Sequence, residues 1–158
     1  MFRELARKNK QLSHGQCIEI LKNEQRGVLS VLGDNGYPYG MPLNHWYNEE
    51  DGALYFHSGK SGHKIDAVKN CGKVSFCTYD GGYRNEGEWA LNIKSVIVFG
   101  KIEIIEDADK IIDIMTKLCR KFTQDEEYIK NEIEMHTHST ILLRLIPEHI
   151  CGKAVTEA

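Results

Sequence analysis

Residues 53–77 read ALYFHSGKSGHKIDAVKNCGKVSFC, in which two apolar segments flank a polar, glycine-containing turn and a short amphipathic segment. The alternation of apolar and polar side chains in ALYFHS (53–58) and KVSFCTY (73–79) is typical of β-strands. The segment between them predicts a short helix over about 62–70. This stretch therefore predicts a strand, a turn, a helix and a second strand in direct succession.

The start of this helix carries an unusual concentration of positive charge. Lys60, His63 and Lys64 lie there, and no acidic residue precedes Asp66. Because the N-terminus of a helix is itself positive and presents unpaired N–H groups, cations at this end favour a bound anion between them. A phosphate would be held by backbone N–H groups, Lys64 and a neighbouring serine hydroxyl. A solvated polar turn is the alternative, and the spacing does not match the P-loop pattern.

The rest of the chain adds further strands and helices to this unit. Turn signals such as GDNG (33–36) separate segments rich in β-branched and aromatic residues, and two prolines place the second strand at an edge or a bulge. Six mainly antiparallel strands with helices between them indicate an α+β domain built on a barrel or a sandwich. We expect strands over 27–33, 37–48, 53–58, 73–79, 89–105 and 139–147, and helices over 14–24, 62–70, 107–122 and from about Thr123.

Composition and charge exclude several classes of function. The 158 residues predict one domain, 1–158, and the net charge of −3 gives no reason to expect a nucleic acid partner. The longest apolar run, Val96 to Phe99, is too short to span a membrane. Five widely spaced cysteines without a CxxC pair fit a reducing environment, so we expect a cytoplasmic protein.

Three segments in order resemble a known family: GVLSVLGDNGYPYGMPLNHWY (27–47), the stretch 53–77, and KSVIVFGKIEII (94–105). Together they resemble the FMN-binding split β-barrel family of pyridoxamine 5'-phosphate oxidase, and more closely its small nitroimidazole-resistance-like (NimA-type) flavoproteins. The resemblance implies a six-stranded split β-barrel with peripheral helices and an FMN cofactor. It also implies a homodimer with the flavin at the subunit interface.

The resemblance also implies where the flavin binds. The second strand would run along the isoalloxazine ring through its backbone, the third strand would end near the ribityl chain and phosphate, and the following helix start would hold the phosphate. The fifth strand of the partner subunit would reach the flavin. With the Ser58 or Ser61 hydroxyl as the serine contact to the phosphate, the expected site residues are Gly40, Met41, Pro42, Leu43, Asn44, His57, Ser58, Ser61, Gly62, His63, Lys64 and Ser95.

Two departures from the true oxidase point to different chemistry. His63 stands where the oxidase carries an arginine, and histidine is a weaker and pH-sensitive phosphate ligand. The tail RLIPEHICGKAVTEA lacks the Arg-x-His pattern that would bind a substrate phosphate. Both departures favour another small-molecule substrate over pyridoxamine 5'-phosphate.

A few other residues have both functional and structural interpretations. Trp89, beside a glycine-rich loop, would stack on a ring or pack in an interface. His45 and His57 would each donate a hydrogen bond or a proton, although a buried structural role suits His45 better. His136 and His138 have the spacing of two metal ligands, but the sequence supplies no third or fourth ligand, so we expect no metal.

These observations lead to one functional expectation and three alternatives. We expect an FMN-dependent oxidoreductase that reduces a small molecule, such as a nitro-aromatic or quinone-like acceptor. The first alternative is a non-catalytic protein that binds FMN or another phosphate-bearing ligand. Pyridoxamine 5'-phosphate oxidation and a histidine-based metal sensor rank lower.

Overall fold

The computed structural model describes residues 1–157, so Ala158, which the single-domain prediction includes, lies outside the described residues. The helices of this part of the chain do not include one that is both long and apolar enough to cross a bilayer. The strands are β1 (Arg26–Leu32), β2 (Pro38–Asn44), β3 (Trp46–Tyr47), β4 (Leu54–Gly59), β5 (Lys73–Tyr79), β6 (Leu91–Ile105) and β7 (Thr140–Glu157). The helices are α1 (His14–Asn23), α2 (His63–Asn70), α3 (Ala108–Arg120) and α4 (Glu126–His136).

All seven strands form one antiparallel sheet in the order β2-β1-β5-β6-β7-β4-β3. β2 and β3 lie at opposite ends of this order, yet only His45 separates them in the chain. The sheet must therefore curl until its two ends approach each other, which leaves a split between β2 and β4. This arrangement confirms the predicted α+β, mainly antiparallel split barrel.

The structure has seven strands where the sequence predicts six. The predicted strand over 37–48 is interrupted at His45, whose side chain turns into the core and is 0% exposed. β2 then pairs with β1, whereas β3 pairs with β4 at the other end of the sheet. A barrel corner of this kind depends on contacts between distant strands, so the local apolar pattern does not reveal it.

Two further boundaries differ from the sequence prediction by three residues or more. The last strand continues past the predicted end at 147 to Glu157, because it pairs with β6 over its whole length. The last helix does not begin at Thr123: Asp125 is its N-cap, and its carboxylate accepts a hydrogen bond from the Tyr128 N–H. An aspartate at this position is a strong cap, which explains why the helix begins later than predicted.

The helices cover different faces of the sheet. α1 and α2 contribute apolar side chains such as Leu21 and Ile65 to the main core, where they contact the inner face of the barrel. α3 covers the outer face of β4 and β7, where Ile111 and Ile114 pack with Tyr55 and Leu142 in a smaller cluster. The outer face of β1, β2 and β5 lies on the side opposite to the main core.

Gly100 allows two long strands to stay paired across a bulge. The register between β6 and β7 shifts at Phe99 and Gly100, and a Cβ at position 100 would overlap the carbonyl oxygen of Ile146. We expect Gly100→Ala to lower the free energy of unfolding by about 1–3 kcal/mol, the range for overpacked sites. Urea denaturation measures this, with Gly15→Ala as the control because no atom lies near its added Cβ. Equal stability of both variants would contradict the prediction.

Candidate flavin site at the split of the barrel

A cavity of about 430 Å³ lies at the split, between strand ends and the α3–α4 hairpin. Asn44 at the end of β2 and His57 and Ser58 near the end of β4 line one side. All three are expected site residues, and the structure brings them together. The helical side is mostly apolar and was not predicted: Met115, Leu118, Cys119, Phe122, Thr123, Tyr128, Glu132, Ile133 and His136.

His57 reaches this cavity because of the alternation along β4. Phe56 faces the main core, whereas Tyr55 and His57 face the side covered by α3 and α4. The ring is open to the cavity, but the surrounding protein atoms and, secondarily, the charge of Lys64 lower the pKa of His57 below its ordinary value. His57 is therefore a neutral ring at pH 7, with one nitrogen that donates and one that accepts.

The N-terminus of α2 differs from those of the other three helices. Side chains of Ser13, Asp107 and Asp125 cap α1, α3 and α4 by accepting backbone N–H bonds. The N-cap of α2 is Gly62, which has a φ of 112° and supplies no side-chain acceptor. The first backbone N–H groups of α2 are consequently available to a ligand.

Lys64 adds an uncompensated positive charge beside these N–H groups. It is half-buried, and burial lowers its pKa below the ordinary value. None of the ion pairs within residues 1–157 includes Lys64. A half-buried ammonium without a carboxylate is costly unless an anion neutralises it, and Lys64 is close enough to His57 to affect its pKa. The Lys64 ammonium and the cavity thus adjoin each other.

His63 is turned towards the β1–β2 turn. Its ring stacks on Tyr39, with 4.3 Å between ring centroids, and its Nε2 accepts a hydrogen bond of 3.4 Å from the Asp34 N–H. A carboxylate oxygen of Asp34 lies 3.6 Å from the same nitrogen. His63 therefore fixes the turn against α2, and Lys64 is the better placed of the two side chains to contact an anion.

β2 presents an open backbone edge, as its two prolines predict. It is the terminal strand of the sheet and pairs with β1 alone. Along a strand, the backbone N–H and C=O groups of successive residues point alternately to one edge and to the other. Because proline has no N–H to donate to β1, Pro38 and Pro42 face the open edge. Gly40 and Asn44, two residues from Pro42 on either side, therefore direct their backbone N–H and C=O groups to the same open edge. The side chains of Met41 and Leu43 pack against the core, so these two residues offer a ligand only their backbone.

Three other predicted residues lie apart from the cavity. Ser61 is exposed in the turn before α2. Ser95 lies on β6, between Tyr79 of β5 and Lys153 of β7, and does not line the cavity. Trp89 is 74% exposed in the loop before β6. Ser95 and Trp89 could therefore contact a ligand in the cavity only across an interface with a second copy.

The remaining histidines have different surroundings. His136 lines the cavity, and its Nε2 lies 3.7 Å from a Glu132 carboxylate oxygen. His138 is exposed in the turn after α4. Residues 1–157 hold no cluster of three or more His, Cys, Asp or Glu side chains arranged to bind a metal ion.

His45 lies outside the site and is a buried structural residue. Its Nε2 donates a hydrogen bond of 2.8 Å to the Leu21 carbonyl. Burial first, and the charge of Lys121 second, lower the pKa of His45 from 6.5 to about 3. The ring is thus neutral throughout the physiological range.

This buried ring makes the stability of the fold pH-dependent. The unfolded chain takes up a proton at His45 below about pH 6.5, whereas the folded chain does not until about pH 3. The contribution of His45 to the free energy of unfolding is therefore complete above pH 6.5 and decreases by about 1.4 kcal/mol per pH unit below it. Between pH 7 and pH 5, we expect the free energy of unfolding to decrease by about 2 kcal/mol less in His45→Gln than in the unaltered protein, as measured by urea denaturation. The exposed His138→Gln is the control, and equal losses in all three proteins would refute the prediction.

Comparisons with known proteins agree with the geometry of the barrel. The chain is 19% identical to a candidate 5-nitroimidazole antibiotic resistance protein from Bacteroides thetaiotaomicron, with a TM-score of 0.78 over 93% of this chain and 87% of that one. It is 24% identical to a FAD-binding protein from Mesorhizobium loti, with a TM-score of 0.65 over 92% and 97% of the two chains. It is 17% identical to the conserved hypothetical protein Rv2991 from Mycobacterium tuberculosis, with a TM-score of 0.78 over 95% and 90%.

At these identities the solved structures establish the fold alone. No curated protein sequence matches the chain significantly. The family model for pyridoxamine 5'-phosphate oxidase matches residues 13–154, which include every residue of the candidate site. The chain therefore belongs to the pyridoxamine 5'-phosphate oxidase family.

Proposed function

We propose that this protein binds FMN at the split of the barrel and uses it to reduce a small molecule. The observation that carries the proposal is the half-buried Lys64, without an acidic partner, beside the open N-terminus of α2 and the cavity of His57. A phosphate monoester neutralises such a group and accepts hydrogen bonds from the N–H groups. The FAD-binding relative from Mesorhizobium loti supports a flavin as the ligand.

The neighbouring residues provide for the rest of a flavin. The open edge of β2 at Gly40 and Asn44 supplies backbone donors and acceptors for the polar rim of a planar ring. The apolar side of the cavity excludes water from the reacting face, and bound FMN would supply the electron transfer. Neutral His57 holds one proton within the cavity and accepts a hydrogen bond at its other nitrogen.

We propose a homodimer formed through the outer face of β2, β1, β5, β6 and β7. Strand pairing places two rows of five side chains each across this face. Of these ten side chains, only that of His149 is acidic or basic. Charge depletion of this kind is typical of the centre of a subunit interface. Ser95 lies on the same face of β6 as Ile97 and would approach the partner's site. The rows are Pro42, Val28, Cys77, Ile97 and Cys151, and Gly40, Ser30, Ser75, Phe99 and His149.

The absorbance spectrum of the purified protein, expressed with sufficient riboflavin, tests the proposal directly. Bound flavin gives two bands between the near-ultraviolet and the blue, and chromatography of the released cofactor distinguishes FMN from FAD. A colourless protein that causes no fluorescence change in flavin titrations would refute flavin binding. FAD in place of FMN would keep the flavin site but change the cofactor.

Stopped-flow kinetics distinguish a reductase from a protein that only binds flavin. We expect NADH or NADPH to bleach the flavin absorbance and a nitro-aromatic or quinone acceptor to restore it. A stably bound flavin that neither nucleotide reduces would favour the non-catalytic alternative. The cavity supports the reductase because it leaves a mostly apolar space next to His57 for an acceptor.

A further inference from the structure

We infer that Lys121 is a positioning residue that joins the end of the flavin strand β2 to the helical side of the cavity. The inference rests on the proposed function, because it assumes that the flavin lies along β2. The Lys121 ammonium donates hydrogen bonds to the backbone carbonyls of Glu24 and His45, the latter at 3.1 Å. Lys121 is separated from His45 by 76 residues in the chain, so these bonds join remote segments.

The two ends of this connection both lie next to the cavity. His45 directly follows Asn44, the β2 residue that lines the cavity. Lys121 directly precedes Phe122 and Thr123, which line the opposite side. A shift of the Lys121 hydrogen bonds would therefore move the two sides of the cavity relative to each other.

The other hydrogen bonds of His45 go to α1 and to the segment that follows it, whereas the adjacent Trp46 packs against the apolar side chains of α3. The His45 N–H donates to the Gln25 carbonyl at 3.3 Å, and the His45 ring donates to the Leu21 carbonyl. Between α3 and this corner, Lys117 adds a cation–π contact of 5.7 Å to the Trp46 ring, which fixes no backbone group. Lys121 supplies the backbone-directed hydrogen bond between α3 and the corner.

The charges around Lys121 suit a fixed ammonium. Its nitrogen lies at the C-terminal end of α1, where it donates to the carbonyl oxygen of the C-cap residue Glu24 and where a cation is favoured. The Glu24 carboxylate attracts it, although burial dominates and lowers the pKa of Lys121 to about 8. His45 stays neutral beside it, and burial first and the charge of Asp80 second raise the pKa of Glu24. Lys121 therefore carries its charge at pH 7, where charge strengthens both hydrogen bonds.

Flavin titrations of three variants test the inference. Lys121→Met keeps most of the length of the side chain but removes the charge and the donors. We expect it to raise the dissociation constant for FMN roughly tenfold, the scale seen for residues that hold the binding residues in position. Lys121→Arg keeps charge and donors and is expected to retain most of the affinity. Lys117→Met, one turn earlier on α3 in an exposed ion pair with Asp113, is the matched control and should stay within about twofold of the unaltered protein.

A second readout separates positioning from general stability. At saturating FMN, the visible circular dichroism of the bound ring should change in Lys121→Met and stay unchanged in Lys117→Met, because only a displaced β2 alters the surroundings of the ring. If Lys121→Met folds poorly, Lys121→Gln, which keeps one donor, replaces it. Normal affinity and an unchanged spectrum in Lys121→Met would overturn this inference and leave the flavin site intact. Absence of FMN binding by the unaltered protein would overturn both.

Discussion

Val28→Glu is expected to convert the protein to monomers and to lower its flavin affinity at least a hundredfold. Val28 lies in the uncharged row of the outer face, between Pro42 of β2 and Cys77 of β5, and is 39% exposed in the single chain. In a symmetric interface the change buries two carboxylates without partners, which costs several kcal/mol. Loss of the dimer also lowers the flavin affinity, because Ser95 and Trp89 would reach the site only from the partner subunit.

Because Val28 is exposed in the single chain, a charge at this strand position should leave the monomer folded. The test therefore separates loss of the dimer from loss of the fold. Light scattering gives the mass of the particle, far-ultraviolet circular dichroism the retained fold, and fluorescence titration the flavin affinity. Ile112→Glu is the matched control: Ile112 is 43% exposed, and it lies on α3 and not on a strand of the proposed interface. A dimeric Val28→Glu protein, or an unaltered protein that is monomeric, would refute the proposed interface.

The strand side of the candidate site could be predicted from the sequence because the patterns that indicate it are local. The alternation in 53–58, the prolines of β2 and the cations before Asp66 all depend on residues a few positions apart. The prolines predicted that the second strand lies at an edge or is bulged, and the sheet order places β2 at the edge. The resemblance to a family added that Asn44 and His57 belong to one flavin site.

The helical side of the site could not be predicted in the same way. Tyr128 and Glu132 belong to an ordinary amphipathic helix, and nothing in their spacing shows that this helix covers the end of β4. The break at His45 and the bonds of Lys121 likewise depend on partners far away in the chain. Packing between distant segments decides these features, and a single sequence carries no periodic signal for it.

Lys64→Ala is expected to weaken FMN binding by about 1.5–3 kcal/mol, or roughly ten- to 150-fold, the value of a hydrogen bond to a charged group. The loss should exceed that of His63→Ala, because the His63 ring is already stacked on Tyr39 and bonded to the Asp34 N–H. Lys60→Ala is the control for charge, since Lys60 is exposed in the same turn.

Comparison of FMN with riboflavin identifies the atom that Lys64 contacts. If Lys64 binds the phosphate, its removal weakens FMN binding but leaves riboflavin binding unchanged, so the two ligands approach equal affinity in the variant. Fluorescence titration at pH 7 measures both constants. An unchanged FMN constant in Lys64→Ala would place the phosphate elsewhere, and an equal loss for riboflavin would mean that Lys64 supports the ring or the fold. Selective loss for FMN would make the open N-terminus of α2 and this one half-buried ammonium the phosphate site.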